Sequence, residues 1–527
     1  MNLPIIIGTR GSDLALWQAN FTKNELERKG IKAEIKIIKT KGDATQQWNL
    51  SFDKMEGKGF FTKELEEALL TKEIDLAVHS CKDLPTDFPE GLTIAAYSKR
   101  ANPFDVLLIK KDKVDASKLL KLKENAKVGT SSARRKSQLL ALRPDINIQD
   151  LRGNVPSRIN KLRNEDYDAI TLASAGVERL NIDLSEFEII PLRSTMFIPA
   201  PAQGVLAFQI REDDVKLKEI CAYLNDKNSS TICAIERQLL HDFDGGCQMP
   251  LGVYAEKINQ EFHVWIAQAA AWNTFPKRQH LILKEIILED VEQWKTMSKT
   301  IVENFKSKSI PSVFVSSHLE PTNYLRKALE DQQIPLTHQS YISFTPIEFS
   351  FPKDANWIFF SSKNGVKYFF DACFDEIKNG QYKLAAVNHG TAQAIYTLGL
   401  NVDFIGQGND LNLIAQQFDA MANGKIVFIQ AKNSNRSIQK GIQKNKNTET
   451  LVVYENNPVP NIEQRKEQIL IFTSPMNVEA YFSKFQIESF QSVISIGSST
   501  SKKLDAFAVK NYKTAYEPSW WSIWDEL

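Results

Sequence analysis

Short apolar runs alternate with amphipathic stretches over the first 210 residues of the chain. Strands are predicted at residues 5–9, 33–40 and 75–79, and helices at 14–28 and 62–70. Further strands are predicted at 126–129, 146–151 and 169–173, each followed by a helical stretch. This alternation predicts parallel α/β sheets, in which ligands bind at the carboxyl ends of the strands.

The pattern divides into units. We expect one α/β lobe before a crossing at 100–104, a second lobe after it, then a smaller mixed unit and a polar linker. The predicted boundaries are 1–102 with 198–218 for the first lobe, 103–197 for the second, 219–305 for the small domain and 306–312 for the linker. The alternation restarts in 313–527, where FFSSKNGV (359–366) resembles IFTSPMNV (471–478). This weak repeat predicts two lobes, of about 313–343 with 458–527 and of 344–457.

Composition narrows the class of protein. At 527 residues, 43% apolar and 24% charged, the chain is too long for one core and is typical of a globular protein with several domains. The net charge of +1 gives no overall field favouring nucleic acid or an anionic membrane, so we expect neither partner, and we expect a monomer. Five scattered cysteines without C-x-x-C spacing disfavour disulfides and a metal site and favour the cytoplasm. No apolar run suits a signal peptide or a membrane span.

Arginines cluster at three turns that follow predicted strands. GTRGSDLALWQA (8–19) contains Arg10 and Ser12, VGTSSARRKSQL (128–139) contains Thr130, Ser131, Ser132, Arg134 and Arg135, and LRGNVPSRINKL (151–162) contains Arg152 and Arg158. Helix N-termini attract anions, and arginine adds a planar fork that matches carboxylates. For one turn alone, helix caps and solvated arginines are the simpler interpretation. The three turns together predict a cleft for a polyanion.

Two further motifs carry reactive groups. HSCKDLP (79–85) ends an apolar strand, and its Asp83 suits general acid/base work on an amine-bearing substrate. The alternatives are a turn or cap role for Asp83 and a satisfied core histidine at position 79. In FDGGCQMPLG (243–252), Cys247 follows two glycines, which predicts an exposed loop suited to covalent attachment. A free structural cysteine is the alternative there, and we expect the other four cysteines to be structural.

Together these segments resemble hydroxymethylbilane synthase (porphobilinogen deaminase) over residues 3–305. Other matching motifs are GKGFFTKELEEAL (57–69), YDAITLASAGVERL (167–180), PAQG (201–204) and GGCQMPLG (245–252), in the family's order. The resemblance implies two hinged α/β lobes like those of periplasmic binding proteins, plus a small α+β domain. It also implies a dipyrromethane cofactor on Cys247, porphobilinogen as substrate and hydroxymethylbilane as product.

The same resemblance implies the residues of the first site. Asp83 would be the catalytic acid/base that helps to expel ammonia from porphobilinogen. Carboxylates would be bound by Arg10, Ser12, Lys82, Thr130, Ser132, Arg134, Arg135, Arg152, Arg158 and Arg179. Phe61 and Gln203 would line the cleft, and Asp43 would lie beside the cofactor. After PAQG the family usually reads G-A-x-x-x-E, so Gln209 stands where a glutamate is usual.

In the second half, Ser/Thr-rich turns end the apolar strands. The order WIFFSSKNGV, AAVNHGTA, Tyr454, ILIFTSPMNV and SIGSSTSKKL resembles uroporphyrinogen-III synthase. The resemblance implies a two-lobed α/β domain that cyclises hydroxymethylbilane with few essential side chains. The second-site residues that it implies are Thr391, Tyr454, Ser474 and Thr500. Asn388 stands where the family usually has glycine, and each turn taken alone is also compatible with a helix cap.

The residues alone are also compatible with two other functions. Hinged lobes with an anion-binding cleft also describe solute-binding modules, although such a module needs neither Asp83 nor Cys247. The second half is also compatible with a non-catalytic binding domain, because no acid/base pair, nucleophile or metal cluster stands out in its sequence.

Overall fold

The computed structural model describes residues 3–39, 62–164, 166–245, 249–284, 290–378, 382–406, 410–443 and 446–527. The strands are β1 (Ile5–Thr9), β2 (Ala33–Ile37), β3 (Leu76–Ser80), β4 (Leu92–Tyr97), β5 (Asp105–Lys110), β6 (Lys127–Gly129), β7 (Asn147–Gln149), β8 (Ala169–Ala173), β9 (Phe187–Leu192), β10 (Leu206–Arg211), β11 (Leu251–Ile258), β12 (Glu261–Gln268), β13 (Lys277–Lys284), β14 (Val313–Val315), β15 (Leu336–His338), β16 (Ile342–Pro346), β17 (Trp357–Phe360), β18 (Lys383–Ala386), β19 (Phe404–Ile405), β20 (Ile426–Ala431), β21 (Thr448–Pro458), β22 (Ile469–Phe472), β23 (Ser492–Ser495) and β24 (Tyr512–Thr514).

The helices are α1 (Asp13–Glu27), α2 (Lys63–Leu70), α3 (Ala133–Leu142), α4 (Val155–Asn164), α5 (Ser174–Leu180), α6 (Val215–Cys221), α7 (Lys227–Asp242), α8 (Val291–Ser307), α9 (Tyr324–Asp331), α10 (Lys363–Lys378), α11 (His389–Tyr396), α12 (Leu411–Met421), α13 (Ser437–Lys440), α14 (Pro475–Phe482), α15 (Ser498–Ala506) and α16 (Trp520–Glu526). No helix among the described residues combines the length and the apolar character needed to cross a membrane.

Lobe 1 is built on a sheet of order β2-β1-β3-β10-β4, and lobe 2 on a sheet of order β7-β6-β8-β5-β9. Both sheets depart from the all-parallel arrangement that the alternation predicts. In lobe 1, β10 is antiparallel to β3 and β4, and in lobe 2, β5 is antiparallel to β8 and β9. In lobe 1 the path of the chain explains this. The chain leaves the lobe at the end of β4 and returns at the start of β10, at the same end of the sheet, so β10 runs antiparallel to β4.

The small domain contains the antiparallel sheet β11-β12-β13, covered by α7 and α8. Helix α8 continues to Ser307, two residues into the predicted linker. Phe305, in the last turn of this helix, is 2% exposed and belongs to the core of this domain. The segment 308–312 then connects α8 to β14.

Lobe 3 is built on the parallel sheet β15-β14-β22-β23-β24, and lobe 4 on the sheet β16-β21-β20-β17-β18-β19. The chain passes from lobe 3 to lobe 4 through β16 and returns through β21, and these two strands pair antiparallel. Both copies of the predicted repeat form a strand followed by a helix, β17–α10 in lobe 4 and β22–α14 in lobe 3. The predicted two-lobed architecture of the second half is therefore confirmed.

Candidate active sites

The mixed strand directions place the first candidate site at one edge of each N-terminal sheet. In lobe 2, Asp105 at the start of β5 pairs with Ala173 at the end of β8. In lobe 1, Leu206 at the start of β10 pairs with Ser80 at the end of β3. Residues before β5 and β10 therefore share an edge with the turns that follow the parallel strands.

Lys82 and Asp83 lie in a 3-10 turn, Cys81–Asp83, directly after β3. Lys82 Nζ donates a hydrogen bond to Gln203 Oε1 at 3.2 Å. Burial lowers the pKa of Lys82 to about 8, with the Asp83 charge opposing the shift and Arg135 adding to it. Asp83 itself is exposed to solvent. The exposed carboxylate of Asp83 thus lies near the ammonium group of Lys82, which is also near the positive charges of Arg134 and Arg135.

Arg134 and Arg135 begin α3 and are engaged by a residue that sequence reasoning missed, Asp105. Arg134 Nη2 donates to Asp105 Oδ2 at 2.8 Å, and Arg135 Nη2 donates to Oδ1 at 2.6 Å. All three side chains are buried. Burial disfavours the Asp105 carboxylate, but the two guanidinium charges outweigh burial and hold its pKa well below the ordinary value.

Asp105 also accepts a hydrogen bond from Gln203 Nε2 at 3.2 Å. A connected group therefore runs from Lys82 through Gln203 to Asp105 and the two arginines. The sequence carried one usable signal for Asp105, since it is a carboxylate at the start of the apolar run DVLLI that forms β5. Such a position needs a cationic partner if the side chain is buried.

Two hydroxyl residues of these turns, Ser12 and Ser132, act as helix caps, which is the simpler interpretation offered by the sequence. Ser12 Oγ accepts the Ala15 N–H at 3.4 Å and caps α1, and Ser132 Oγ accepts the Arg135 N–H at 3.4 Å and caps α3. Thr130 Oγ1 accepts the Ser132 N–H at 3.4 Å. Capping leaves these hydroxyls at the strand ends, beside the arginines.

The other predicted arginines lie in or near the same edge. Arg158 Nε donates to the Gly153 carbonyl at 2.7 Å, and burial lowers its pKa to about 10, with Arg135 adding to the shift and Asp83 opposing it. Arg179 Nη2 donates to the Gly204 carbonyl at 2.8 Å, and its guanidinium lies over the Trp17 ring at 5.4 Å. Arg10 and Arg152 are half-buried in the turns after β1 and before α4.

His79 is a core residue, which is the alternative that the sequence allowed for this position. His79 is 7% exposed, and its Nε2 is 3.0 Å from Gln209 Oε1. Burial lowers the pKa of His79 to about 4, while Gln209 opposes the shift and the nearby Arg10 charge adds to it. His79 is therefore a satisfied, neutral core histidine, and Gln209 is its buried partner.

Three predicted site residues, Cys247, Asp43 and Phe61, lie outside the described residues. The other cysteines, Cys81, Cys221, Cys233 and Cys373, are buried free thiols. Across the described ranges, no group of three or more His, Cys, Asp or Glu side chains could hold a metal ion.

The second candidate site divides between lobes 3 and 4. In lobe 4, the Tyr454 hydroxyl lies 3.0 Å from Ser362 Oγ, and the Tyr454 ring stacks on Tyr368 with centroids 5.4 Å apart. Burial raises the pKa of Tyr454, which keeps the phenol protonated. Thr391 is 2% exposed, and its N–H donates to the Asn388 cap of α11 at 2.9 Å.

In lobe 3, Ser474 caps α14 by accepting the Asn477 N–H at 3.2 Å. Thr500 is 1% exposed in the first turn of α15. Ser316 supports the neighbouring turn, because its Oγ accepts the Thr473 N–H at 2.9 Å. The four predicted residues thus stand as two pairs, one on each lobe. Thr391, Ser474 and Thr500 follow parallel strands, and Tyr454 lies within β21 beside the last residue of β20.

Comparison with known proteins assigns the first half. Residues 5–219 match the family model described as "Porphobilinogen deaminase, dipyromethane cofactor binding domain", and residues 230–301 match "Porphobilinogen deaminase, C-terminal domain". The porphobilinogen deaminase of Chlorobium phaeovibrioides is 46% identical over 266 residues, which is 50% of this chain and 82% of that protein. The chain belongs to the porphobilinogen deaminase family. The deaminase of Nitratiruptor sp. is 48% identical over 253 residues, 48% of this chain and 79% of that one.

The chain continues beyond its deaminase half. Residues 323–525 match the family model "Uroporphyrinogen-III synthase HemD", so the second half is a domain of that kind. The uroporphyrinogen-III synthetase of Helicobacter pylori 26695 is 19% identical, with 40% of this chain and 94% of that one covered and a TM-score of 0.30. Below, the deaminase half means residues 3–307 and the synthase half residues 313–527.

The charges of the first site fit the dipyrromethane for which the matching domain is described. Each pyrrole of such a group carries two carboxylates. Lys82, Arg134, Arg135 and Arg158 outnumber the neighbouring carboxylates of Asp83 and Asp105. The lowered pKa values of Lys82 and Arg158 reflect burial together with this excess of positive charge. An anion bound among these side chains would relieve that repulsion.

Proposed function

We propose that the chain is a bifunctional enzyme of heme biosynthesis. Its deaminase half polymerises four porphobilinogen molecules to hydroxymethylbilane and releases ammonia, which is a transferase reaction. Its synthase half cyclises hydroxymethylbilane to uroporphyrinogen III, which is a hydro-lyase reaction. The observation that carries the first assignment is the cationic cluster beside the exposed carboxylate of Asp83. The division of Ser/Thr turns between two lobes supports the second.

In the deaminase half, we propose Asp83 as the catalytic acid/base, because a carboxylate stabilises cationic intermediates and takes the proton that each new ring loses. Carboxylates of bound rings meet Arg10, Ser12, Lys82, Thr130, Ser132, Arg134, Arg135, Arg152, Arg158 and Arg179. Gln203 holds Lys82 in place. Arg134 and Arg135 already donate to Asp105 and to the carbonyls of Ile198 and Thr171. These two arginines would therefore meet a ligand only with the N–H groups that are left.

Cys247 is the proposed attachment point of the dipyrromethane, Asp43 lies beside it and Phe61 lines the cleft. When bound, this group supplies the terminus to which pyrrole rings are added. The chain's own contribution is to hold carboxylates and to move protons at Asp83. Charge-assisted hydrogen bonds contribute about 1.5–3 kcal/mol each, so several per ring are enough to keep a growing chain bound.

In the synthase half, we propose that Thr391, Tyr454, Ser474 and Thr500 bind and fold the linear tetrapyrrole between lobes 3 and 4. Their hydroxyls and the adjoining helix N-termini suit a ligand with many carboxylates. The buried, protonated phenol of Tyr454 offers a hydrogen-bond donor at this position. Positioning would then do most of the work, since cyclisation also proceeds without an enzyme, to the type I isomer.

We further propose the domain boundaries given by the sequence pattern, with the linker shortened to 308–312 by the extent of α8. We propose that the enzyme works as a cytoplasmic monomer, without nucleic acid or membrane partners. The nearly balanced charge supports this, as do Cys81 and Cys233, which lie in one core as free thiols without a disulfide between them.

Two measurements on the purified chain test the proposed function. The intact mass should exceed the sequence mass by two pyrrole units, and the excess should persist after denaturation. Incubation with porphobilinogen should yield mainly the type III isomer of uroporphyrinogen. A chain of unmodified mass would contradict the covalent cofactor, and a type I product would contradict synthase activity.

A further inference from the structure

The two halves share an interface that lies outside both candidate sites. The last helix, α16, lies against β13 of the small domain. Arg278 on β13 and Asp525 on α16 form a bidentate ion pair, with Nε–Oδ1 at 2.7 Å and Nη2–Oδ2 at 3.2 Å. Each side chain is only 1% exposed. The interface therefore removes both charges from water.

The same guanidinium also binds lobe 2. Arg278 Nη1 donates to the Met196 carbonyl at 2.9 Å, and Nη2 donates to the Thr195 carbonyl. Thr195 Oγ1 in turn donates to Glu517 Oε1 of the synthase half at 3.3 Å. A single arginine thus joins lobe 2, the small domain and lobe 3.

Aromatic side chains surround the ion pair. The rings of Phe275 and Tyr324 meet edge to face at 4.9 Å, and Tyr324 and Trp521 pack against the core of lobe 2. Trp524 is 3% exposed, and its Nε1 donates to the Pro276 carbonyl at 3.0 Å. Buried aromatic residues around a fully bonded charge pair are typical of a permanent interface.

Two contacts extend the interface on either side. Tyr516 packs on Trp265 with centroids 5.0 Å apart, and His280 Nδ1 lies 3.2 Å from Glu526 Oε1. Farther along lobe 2, Gln393 of lobe 4 donates to the Ala116 carbonyl at 3.1 Å. The deaminase half therefore contacts both lobes of the synthase half.

We propose that the deaminase surface around Arg278 is a docking site for the C-terminal helix of the synthase half, and that the two halves stay associated without the peptide that joins them. The buried pair provides the specificity. If either partner is removed, the other is left as an uncompensated charge away from water, which strongly destabilises the assembly. The linker then adds proximity but is not what holds the halves together.

The test starts from the full chain with a protease site inserted at the exposed residue Ser309. After complete cleavage, the two fragments should co-elute at the 59.8 kDa of the intact chain, even at about 1 μM, if the buried ion pair and its aromatic neighbours hold them together. Separate elution of two folded, active fragments at that concentration would overturn the proposal.

Three variants then test whether the Arg278–Asp525 pair makes the association of the two halves specific. Arg278→Leu and Asp525→Leu should each weaken association of the cleaved halves by about 100-fold or more, because one buried charge loses its partner. The double variant should associate more tightly than either single one. The control is Arg163→Leu, which removes a surface pair with Glu186 whose side chains are 35% and 47% exposed, and which should change nothing. Undiminished association in both single variants would overturn the role of this pair.

Hydrogen exchange on the cleavable chain, with Arg278 and Asp525 unchanged, covers the case in which a single variant misfolds. The amides of β13 should exchange equally slowly before and after cleavage, because α16 still covers the strand. Faster exchange confined to β13 and α16 after cleavage would show that the linker held them together, and the proposal would fail.

Discussion

At the residue scale, the first site combines one exposed carboxylate with buried, mutually repelling cations. Asp83→Asn keeps the size of the side chain but removes its ionisable group. Deaminase turnover should fall by at least about 100-fold, since general acid/base groups contribute on the order of 10²–10⁴. The synthase activity of the same chain, assayed with hydroxymethylbilane made by a separate deaminase, should be unchanged. Asp87→Asn, at an exposed carboxylate nearby, is the control. Full turnover in folded Asp83→Asn protein would exclude Asp83 from catalysis.

The pKa of Lys82 reports whether carboxylates occupy the site. In a Cys247→Ser variant, which we expect to hold no cofactor, Lys82 should titrate near pH 8. The sign follows from the charges: burial and neighbouring arginines disfavour the ammonium ion, whereas a bound carboxylate favours it and raises the pKa. In the wild-type chain, Lys82 should therefore stay protonated to a higher pH.

Amine-selective labelling followed by mass spectrometry, at pH values from neutral to alkaline, measures this shift. The exposed Lys99 provides an internal reference for the extent of labelling in the two proteins. An identical Lys82 titration curve in the two proteins would mean that the cofactor carboxylates lie elsewhere.

Sequence reasoning found the arginines but not what holds them. Arg134 and Arg135 stand out because their turn repeats the strand–turn–helix pattern of the turns at Arg10 and Arg152, whereas Lys82 was implied only by the family resemblance. Asp105 does not stand out, because its contact depends on β5 running antiparallel to β8, and a local pattern does not reveal strand direction. The same limit applies to Gln203, which reaches Lys82 only because β10 re-enters lobe 1 beside β3.

At the scale of elements, alternation predicted six strands in the first 210 residues that the structure contains, and two of them, Ile5–Thr9 and Ala169–Ala173, have the predicted bounds. Boundaries failed where tertiary packing decides them. Helix α8 extends into the polar sequence FKSKS (305–309) as far as Ser307, and Phe305 continues the buried stripe of Trp294 and Val302. Among the Ser/Thr turns, helix capping and ligand binding give the same sequence pattern, so the sequence alone cannot separate the two roles.

Ser474 allows these roles to be separated, because it caps α14 and is also a predicted ligand-binding residue. Ser474→Ala removes the cap and should cost about 1 kcal/mol of stability while leaving the site neutral. Ser474→Asp keeps a capping side chain but introduces a negative charge where substrate carboxylates are proposed to bind. If Ser474 faces the ligand, the aspartate variant should be the stable one and should release mainly the type I isomer.

Thermal unfolding and the isomer ratio, measured on both variants, distinguish the capping role of Ser474 from a ligand-binding role. Deaminase turnover in the same samples is the control and should be unaffected. Normal type III output from Ser474→Asp would limit Ser474 to its capping role.

At the scale of the whole molecule, the sequence predicts a polar linker between the two halves. In the structure the halves also touch, because Tyr324 and Trp521 pack against lobe 2 and Trp524 donates to the Pro276 carbonyl. The polar sequence at 306–312 identified the linker but gave no sign that segments far apart in the chain are in contact. Expressed alone, the synthase half would expose these rings, so the two halves should be handled as a cleaved pair rather than as separate proteins.

This arrangement has a measurable consequence for product identity. Free hydroxymethylbilane closes spontaneously to the type I isomer, so the type III fraction depends on how quickly the bilane reaches a synthase site. In a chain cut at Ser309, docked halves keep one synthase beside each deaminase, and their effective concentration does not fall on dilution. The type III fraction formed from porphobilinogen should therefore match that of the uncut chain at every enzyme concentration. In cut Arg278→Leu protein, the halves should separate and the type III fraction should drop as the enzyme is diluted, whereas the same variant left uncut should retain it. A type III fraction that falls equally with dilution in cut wild-type and cut Arg278→Leu protein would show that only the covalent linker keeps the two activities together.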